Sequence, residues 1–215
     1  MKIFVAVGMM LFSVGAFAQE ETSYIEFKNQ GNEALKAKDY QKALELYESS
    51  YKLWPEDEPM DDAMVFNMAT SARRVNNDEK AYEYYTKSAE LNYKADFAAF
   101  YIASALENMG KEEEMEQVLI KALEEHKNSG VIGHIKKKLT TYYLKRGAEH
   151  YNNANQIISS AASADPSQYA EITEKANEAY SEAKPWFEKV LEIDASNQNA
   201  EVCLREINTR LSDSN

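Results

Sequence analysis

The sequence predicts an all-α protein built as a solenoid of stacked, antiparallel helix pairs. The main observation is a unit that recurs every 34 residues, although the first interval is longer because 58–61 is an insert. A second observation is that equivalent places in each unit hold small or apolar residues. The units start at Tyr24, Asp62 and Asp96. The eighth place of each unit holds a small residue: Gly31, Ala69 and Ala103. The twentieth place holds Ala43, Ala81 and Met115, and the 24th place holds Tyr47, Tyr85 and Leu119. Such a period is typical of solenoids, whose units bury their apolar faces against their neighbours.

The first unit, 24–57, contains two amphipathic segments with the spacing of helices. The stretch 36–39 predicts the turn between them, and Asp39 is suited to cap the second helix. The second helix should end at Trp54, because a proline follows it and disfavours helical geometry in the preceding residue. The second and third units, 62–95 and 96–129, repeat the pattern. Met115, at a place that is alanine in the other two, suggests either a slightly wider third pair or compensation by the small Ala99 and Ala103.

The fourth unit, 140–197, is split. Residues around Gly147 match a first helix and residues around Phe187 match a second, but they lie about 24 residues too far apart for an ordinary unit. The chain between them keeps an apolar stripe of helical spacing. We therefore expect an overlong helical hairpin that projects from the solenoid.

Asp165, Pro166 and Gln168 predict where the second arm of this hairpin begins, since they combine a capping residue, a first-turn proline and a capping-box partner. Pro185 lies inside that arm, where it removes one backbone hydrogen bond and should bend the helix. The final segment, 197–211, predicts a helix that caps the last apolar face.

The first unit resembles the tetratricopeptide repeat. The resemblance rests on Gly31-Asn32-Glu33-Ala34-Leu35, on Asp39-Tyr40-Gln41-Lys42-Ala43, and on Tyr47 and Pro55. It covers 24–129 well and 140–211 loosely, so that the repeat domain would span 24–211. The resemblance implies a right-handed superhelix whose concave surface is built from the first helix of each unit and binds peptides or helices of other proteins.

By this resemblance, polar and aromatic side chains of the first helices would form a partner-binding groove. The predicted groove residues are Lys28, Asn32, Phe66, Asn67, Thr70, Arg73, Arg74, Phe97 and Tyr101. Aromatic and arginine side chains tend to dominate binding energy. The alternative for the rings, of Phe66 and Phe100 above all, is packing between units.

One variant of the family holds a C-terminal carboxylate with two lysines, two asparagines and an arginine. Lys28, Asn32 and Asn67 occupy three of the equivalent places, but Phe97 and Tyr101 occupy the other two. The resemblance therefore implies an incomplete clamp, in which Arg73 or Arg74 could contact a carboxylate only from a different place.

The first 18 residues predict a signal peptide. They combine a basic start, an apolar run of roughly ten residues and a small-x-small site before Gln19. The run is shorter than the roughly 20 residues that span a bilayer. Cleavage after Ala18 would leave a soluble protein without a lipoprotein cysteine, in the periplasm or outside the cell. The alternative is an uncleaved anchor.

Charge and composition argue against several functions. The formal net charge is −12, and lysines are interspersed with acids, so nucleic acid is not an expected partner. The three histidines, His126, His134 and His150, lack the spacing of a metal site. No phosphate loop or nucleophile elbow occurs, so we expect neither catalysis nor a cofactor. The lone Cys203 flanks a helical apolar stripe, which favours a half-buried role over a reactive thiol.

These observations lead to an expected function. The resemblance and the predicted signal peptide together suggest a non-catalytic scaffold of the bacterial cell envelope, which holds a peptide or helix of a partner protein in its groove. The alternative is a structural protein that self-associates through the projection, 152–183, or through the terminal helix. An enzyme remains a third possibility, because fold alone does not determine function.

Overall fold

The computed structural model describes residues 23–212, and within that range all regular structure is helical. The helices are α1 (Tyr24–Lys36), α2 (Tyr40–Lys52), α3 (Asp62–Arg74), α4 (Asp78–Glu90), α5 (Ala95–Asn108), α6 (Glu112–Glu125), α7 (Ile132–Ser160), α8 (Tyr169–Ile193) and α9 (Gln198–Ser212). Successive helices pack against one another, which confirms the predicted all-α solenoid. The predicted signal peptide, 1–18, lies outside the described residues. Within 23–212, no helix is both long enough and apolar enough to span a bilayer.

Side-chain caps start the first four helices. Ser23, Asp39, Asp61 and Asn77 each accept a hydrogen bond from the backbone N–H three residues further on. The predicted cap at Asp39 is confirmed, with its carboxylate 3.2 Å from the Lys42 nitrogen. Each cap satisfies a backbone donor that has no partner inside its own helix.

The same turn joins the two helices of each of the first three pairs. Lys38, Asn76 and Gly110 occupy equivalent places in these turns, and their φ angles are 62°, 57° and 74°. This left-handed conformation costs most residues about 1 kcal/mol or more, whereas glycine adopts it freely. The recurrence shows that the 34-residue period extends to the backbone geometry of the turns.

In the first pair, a large ring on the second helix sets the place of the small residue on the first helix. A Cβ atom on Gly31 would lie only 2.8 Å from the Cδ1 and Cε1 atoms of Tyr47. Tyr47 is fully buried, as is the equivalent Tyr85 in the next pair. The pairs therefore close on a ring that leaves no room for a side chain at Gly31.

The long hairpin is confirmed. Helices α7 and α8 run antiparallel, and a Cβ atom on Gly147 would lie 3.0 Å from the ring of Phe187, as Gly31 does against Tyr47. Farther out, the Tyr180 hydroxyl donates to Asn155 at 2.6 Å. The residues inserted between Asn155 and Tyr180 thus extend both helices of an otherwise ordinary pair and form the outer part of the hairpin.

Residues near the tip of the hairpin direct the chain into α8. Asp165 and Gln168 form the predicted capping box, although the box sits on a short 3-10 turn, Pro166–Gln168, that precedes α8. Helix α8 continues through Pro185. The terminal helix α9 buries Ala200 and Ile207 and packs on α8, in agreement with the predicted capping helix.

Candidate functional site

The first helices α1, α3 and α5 carry the predicted groove residues, and we call their common surface the first-helix face. Helix α1 contacts α3, and α5 packs on α4, the second helix of the α3–α4 pair. The structure separates the predicted residues into three groups. Phe66 is buried. Arg73, Phe97 and Tyr101 belong to an aromatic and cationic cluster. The others are engaged in contacts within the chain: Lys28, Asn32, Asn67, Thr70 and Arg74.

Lys28 is occupied by the insert at 58–61. Its ammonium lies 3.0 Å from the Asp61 carboxylate and 5.7 Å from the centre of the Trp54 ring. The Trp54 indole N–H in turn donates to the Pro59 carbonyl at 3.2 Å. Because Asp61 also caps α3, its carboxylate is fixed beside Lys28. Lys28 is therefore already paired with a carboxylate of the chain itself, which leaves the carboxylate clamp still less complete than its residue types implied.

Asn32 and Asn67 meet at a buried hydroxyl. The Tyr47 hydroxyl donates to the Asn32 side-chain oxygen at 2.8 Å. Burial raises the pKa of Tyr47 to about 12, while a hydrogen bond with Asn67 acts in the opposite direction. The two amides thus link α1 and α3 through a ring of α2, and both are only half-buried.

Phe66 does not line an open groove, and its place among the predicted groove residues is corrected here. It is 8 % exposed and packs edge-to-face on Tyr85 and Tyr93, with ring centres 5.4 and 5.9 Å apart. The Lys94 ammonium lies 4.8 Å from the centre of the Phe66 ring. Phe66 therefore belongs to the core of the second unit, where Tyr85 of α4 and Tyr93 of the following turn cover its ring.

Thr70 and Arg73 both reach the Tyr85 hydroxyl. The Thr70 hydroxyl lies 3.1 Å from that oxygen, and the Arg73 Nε–H donates to it at 3.4 Å. Burial raises the pKa of Tyr85, and both hydrogen bonds oppose the rise. The Tyr85 hydroxyl therefore anchors two polar side chains of α3.

Arg73 also stacks on a ring of α5. Its guanidinium carbon lies 4.5 Å from the centre of the Tyr101 ring, and Tyr101 itself stacks on Tyr85 with centres 5.0 Å apart. The neighbouring Arg74 lies over Tyr40, at 5.4 Å. Arginine over an aromatic face is a cation–π arrangement, which holds the guanidinium plane in a fixed orientation.

Three aromatic side chains share one side of α5. Phe97, Phe100 and Tyr101 are spaced as neighbours on a helix surface, and Phe100 and Tyr101 lie 5.5 Å apart. Phe97 is 38 % exposed, a high value for a phenylalanine. Phe100 also approaches His134 of α7, at 5.9 Å. We call Arg73, Phe97, Phe100 and Tyr101 the groove cluster.

Sequence reasoning missed a second cluster, between α6 and the long hairpin. The Glu116 carboxylate accepts hydrogen bonds from the Tyr143 hydroxyl at 2.9 Å and the Lys189 ammonium at 2.8 Å. Lys189 and Arg146 both lie over the Trp186 ring, at 4.8 and 5.4 Å. Glu116 and Lys189 are 73 positions apart, so no local pattern connects them. The only signal in the sequence is the unusual Pro185-Trp186 pair on α8.

The described residues hold no group of three His, Cys, Asp or Glu side chains that could bind a metal ion. Cys203 is half-buried, and burial raises the pKa of its thiol.

The chain matches no model of a known protein family, and no curated protein matches it either. Similar solved structures do exist. A tetratricopeptide-repeat protein of Bacteroides fragilis is 20% identical and superposes with a TM-score of 0.56, covering 87% of this chain and 99% of its own. A protein from Bacteroides ovatus, described as a putative protein-binding protein, is 14% identical with a TM-score of 0.47, covering 90% of this chain and 100% of its own.

The myosin chaperone UNC-45 of C. elegans, solved in complex with an Hsp90 peptide, is 19% identical with a TM-score of 0.47. The similarity covers 88% of this chain and 23% of UNC-45. At these identities, the similarity to the Bacteroides fragilis structure concerns the fold. Together with the repeated turns and the small-residue contacts, it shows that the chain has the tetratricopeptide-repeat fold.

Proposed function

We propose that this protein is a non-catalytic interaction module that binds a peptide or helix of a partner protein on its first-helix face. The observation that carries the proposal is the groove cluster, in which the exposed Phe97 is one helical turn from Tyr101, the ring on which Arg73 stacks. Exposed aromatic rings and oriented arginines are the side chains that contribute most to protein interfaces.

The other predicted groove residues have a supporting role in this proposal. Asn32, Asn67 and Thr70 bond to buried tyrosine hydroxyls, so they position the first helices. Their half-buried side chains still leave polar atoms near a bound backbone. Lys28 contributes through its pair with Asp61, as part of one wall rather than as a free cation.

We further propose that the protein acts outside the cytoplasm, in the bacterial envelope. Support comes from the amino-terminal sequence, which has the basic start, apolar run and cleavage pattern of a signal peptide. The excess of acidic residues suits a solvated helical surface, and it does not favour nucleic acid as a partner.

Self-association through the long hairpin is less well supported by the surface of that hairpin. In the outer part of α7, from residue 152 onward, the exposed side chains are polar, among them Asn152, Asn153 and Gln156. Tyr169, which is 45 % exposed, is the one large apolar side chain of 152–183 exposed to that degree. Analytical ultracentrifugation over a wide concentration range would detect self-association, and we expect a monomer.

Co-purification tests the proposed function. The protein, without residues 1–18, is used to capture partners from the envelope of cells that naturally make it. A variant with Phe97→Ala, Tyr101→Ala and Arg73→Ala is used in parallel, and circular dichroism confirms its fold. A matched control carries Ile120→Ala and Val202→Ala, which remove side chains that are 39 % and 41 % exposed on α6 and α9.

We expect a partner that the native protein and the control capture and the groove variant loses. Capture of the same partner by all three proteins would place the contact elsewhere and refute binding on the first-helix face.

A further inference from the structure

The orientation of Arg73 carries an inference about what the first-helix face binds. Its guanidinium is held from two sides, by the Tyr101 ring at 4.5 Å and by the Tyr85 hydroxyl at 3.4 Å from Nε. Tyr101 and Tyr85 stack on each other at an interplanar angle of 28°. Because Nε is used inside the chain, the two terminal amino groups remain to donate. This is the fork geometry that binds a carboxylate with two parallel hydrogen bonds.

The charges around the groove distinguish the arginines of α3 from two of the nearby lysines, while a third, Lys94, lies over the rings of Phe66 and Tyr93. Lys28 is paired with Asp61, and Lys138 of α7 is paired with Glu107 of α5. Among residues 23–212, no carboxylate lies within 4.0 Å of the guanidinium of Arg73 or Arg74. In a chain with a net charge of −12, an unpaired arginine that is nevertheless held in one orientation is unusual.

Of the two arginines, Arg73 is better placed for a ligand. It is half-buried between α3 and α5 and faces the aromatic strip of α5, whereas Arg74 is exposed at the end of α3 over Tyr40. Partial removal from water strengthens an ion pair, since the effective dielectric constant falls. Phe97 is one helical turn from Tyr101, the ring on which Arg73 stacks, so one partner segment along α5 could contact both.

We propose that Arg73 binds the side-chain carboxylate of an Asp or Glu within the partner segment, while an apolar residue of the same segment packs on Phe97. The inference rests on the proposed function and adds the chemistry of the ligand: an acidic and apolar peptide. It differs from the carboxylate clamp, because the ligand group is an internal side chain and neither Lys28 nor the asparagines bind it.

A random peptide library tests this assignment directly, because it samples acidic, apolar and neutral sequences alike. Dodecapeptides are displayed on phage through their C-termini, so that none offers a free terminal carboxylate. The library is selected against the protein lacking residues 1–18. Enriched peptides are then synthesised with amidated C-termini, each beside a counterpart in which Asp or Glu is replaced by Asn or Gln. Affinities are measured by isothermal titration calorimetry for the native protein, Arg73→Gln, Arg73→Lys, Phe97→Ala and the control Arg74→Gln.

We expect enriched peptides that share an acidic and an apolar position. Replacing the acid by its amide should weaken binding to the native protein by about tenfold, the value for one hydrogen-bonded charge pair. Arg73→Gln should lower the affinity for the acidic peptide by a similar factor, so that this variant binds the acidic peptide and its amide counterpart equally well. Arg74→Gln should retain the preference for the acid. Arg73→Lys keeps the charge without the planar fork, so its preference should be intermediate.

Other outcomes would overturn the inference, and they separate it from the proposed function. Peptides that show no preference for acid over amide, but bind Phe97→Ala more weakly, would refute the carboxylate site and leave groove binding intact. A preference for the acid that survives Arg73→Gln and disappears in Arg74→Gln would assign the site to Arg74. A library from which no peptide is enriched would contradict both. If Arg73→Gln fails to fold, the acid and amide peptides on the native protein and on Arg73→Lys decide the question.

Discussion

Gly31 shows at the scale of one residue why the repeat requires a small side chain at its eighth place. Gly31→Ala would place a Cβ atom 2.8 Å from the fully buried ring of Tyr47. We expect the variant to lose about 1 to 3 kcal/mol of stability, since overpacking forces rings and helices apart. Gly133→Ala is the matched control, because nothing lies within 4 Å of its added Cβ and alanine favours a helix.

Urea unfolding measures both variants. The free energy of unfolding should fall clearly for Gly31→Ala and should stay the same or rise slightly for Gly133→Ala. Equal effects of the two substitutions would contradict the packing explanation.

The hydroxyl of Tyr47 leads to a prediction at high pH. Its pKa is raised to about 12 by burial, above the ordinary value of 10.0, so the folded state keeps its proton after the unfolded state has lost it. The stabilisation is complete below pH 10 and is lost as the pH rises through 12. The loss is at most about 3 kcal/mol for this group.

Tyr47→Phe removes this titration. At neutral pH the variant should be less stable by about 1 kcal/mol, because the hydrogen bond to Asn32 is lost. Between pH 10 and pH 12 its free energy of unfolding should fall less steeply than that of the native protein. Parallel curves for the two proteins in chemical denaturation would show that Tyr47 ionises in the folded state as easily as in the unfolded state.

At the scale of the elements, the long hairpin is an ordinary helix pair with an insertion. Gly147 contacts Phe187 as Gly31 contacts Tyr47, and Asn155 and Tyr180 stand where the first pair has Asp39 and Tyr40. Asn155 and Tyr180 are hydrogen-bonded across the hairpin at 2.6 Å, so the two ends of the insertion are close in space.

We therefore expect a variant without 156–179 to fold. Its helix content by circular dichroism should fall by the amount that corresponds to the deleted helical residues, and its unfolding should remain cooperative. Joining two antiparallel helices by a short loop is common, which is why the shortened pair should close. Loss of cooperative unfolding would mean that the outer hairpin is part of the core that holds the fourth pair together.

Helix pairing could be predicted from the sequence because it depends on short-range patterns. Asp39, Asp165 and Gln168 act within one turn of their partners, so their caps are readable from local spacing. The role of the insert at 58–61 could not be read in this way. Its contact with Lys28 joins residues 33 positions apart, and its hydrogen bond with Trp54 follows no recognised cap or turn pattern.

The same distinction separates the groove residues. The places of Phe97 and Tyr101 in the repeat unit assign them to the groove, and that assignment stays a prediction. Phe66 stands at the place that Phe100 has in the next unit, and Tyr85 and Tyr93 of its own unit cover it. Burial of that kind depends on how α4 and the turn after it fold back on α3, which the period of 34 residues does not specify.

At the scale of the whole molecule, polar bridges connect the third pair to the long hairpin. Glu116 of α6 joins Tyr143 and Lys189, and Lys145 pairs with Glu112 at 2.7 Å. The Glu116 side chain is 14 % exposed, so its charge is largely removed from water. Solenoids are stabilised by such nearest-neighbour interfaces, and the loss of one affects the coupling between units.

Glu116→Gln should therefore lower the stability by about 1 to 2 kcal/mol, because a neutral amide oxygen makes weaker hydrogen bonds to Tyr143 and Lys189 than the carboxylate does. Glu124→Gln, at an exposed position of the same helix, should change it little. Urea unfolding followed by both tryptophans and by helix content provides the measurement. Trp186 lies in the bridge and Trp54 in the first unit, so a weakened bridge should separate the two transitions. Equal losses of stability for Glu116→Gln and Glu124→Gln would contradict a structural role of the bridge.

The central claim is that partners bind on the first-helix face, and site-specific photocrosslinking tests it most directly. A benzophenone amino acid is introduced at Phe97 in one protein and at Ile120 in another, two positions that are 38 % and 39 % exposed in the same helix pair. Both proteins are irradiated in cells that naturally make the protein. The account predicts a crosslinked partner from position 97 and none from position 120. A partner that crosslinks equally from both, or only from position 120, would contradict it.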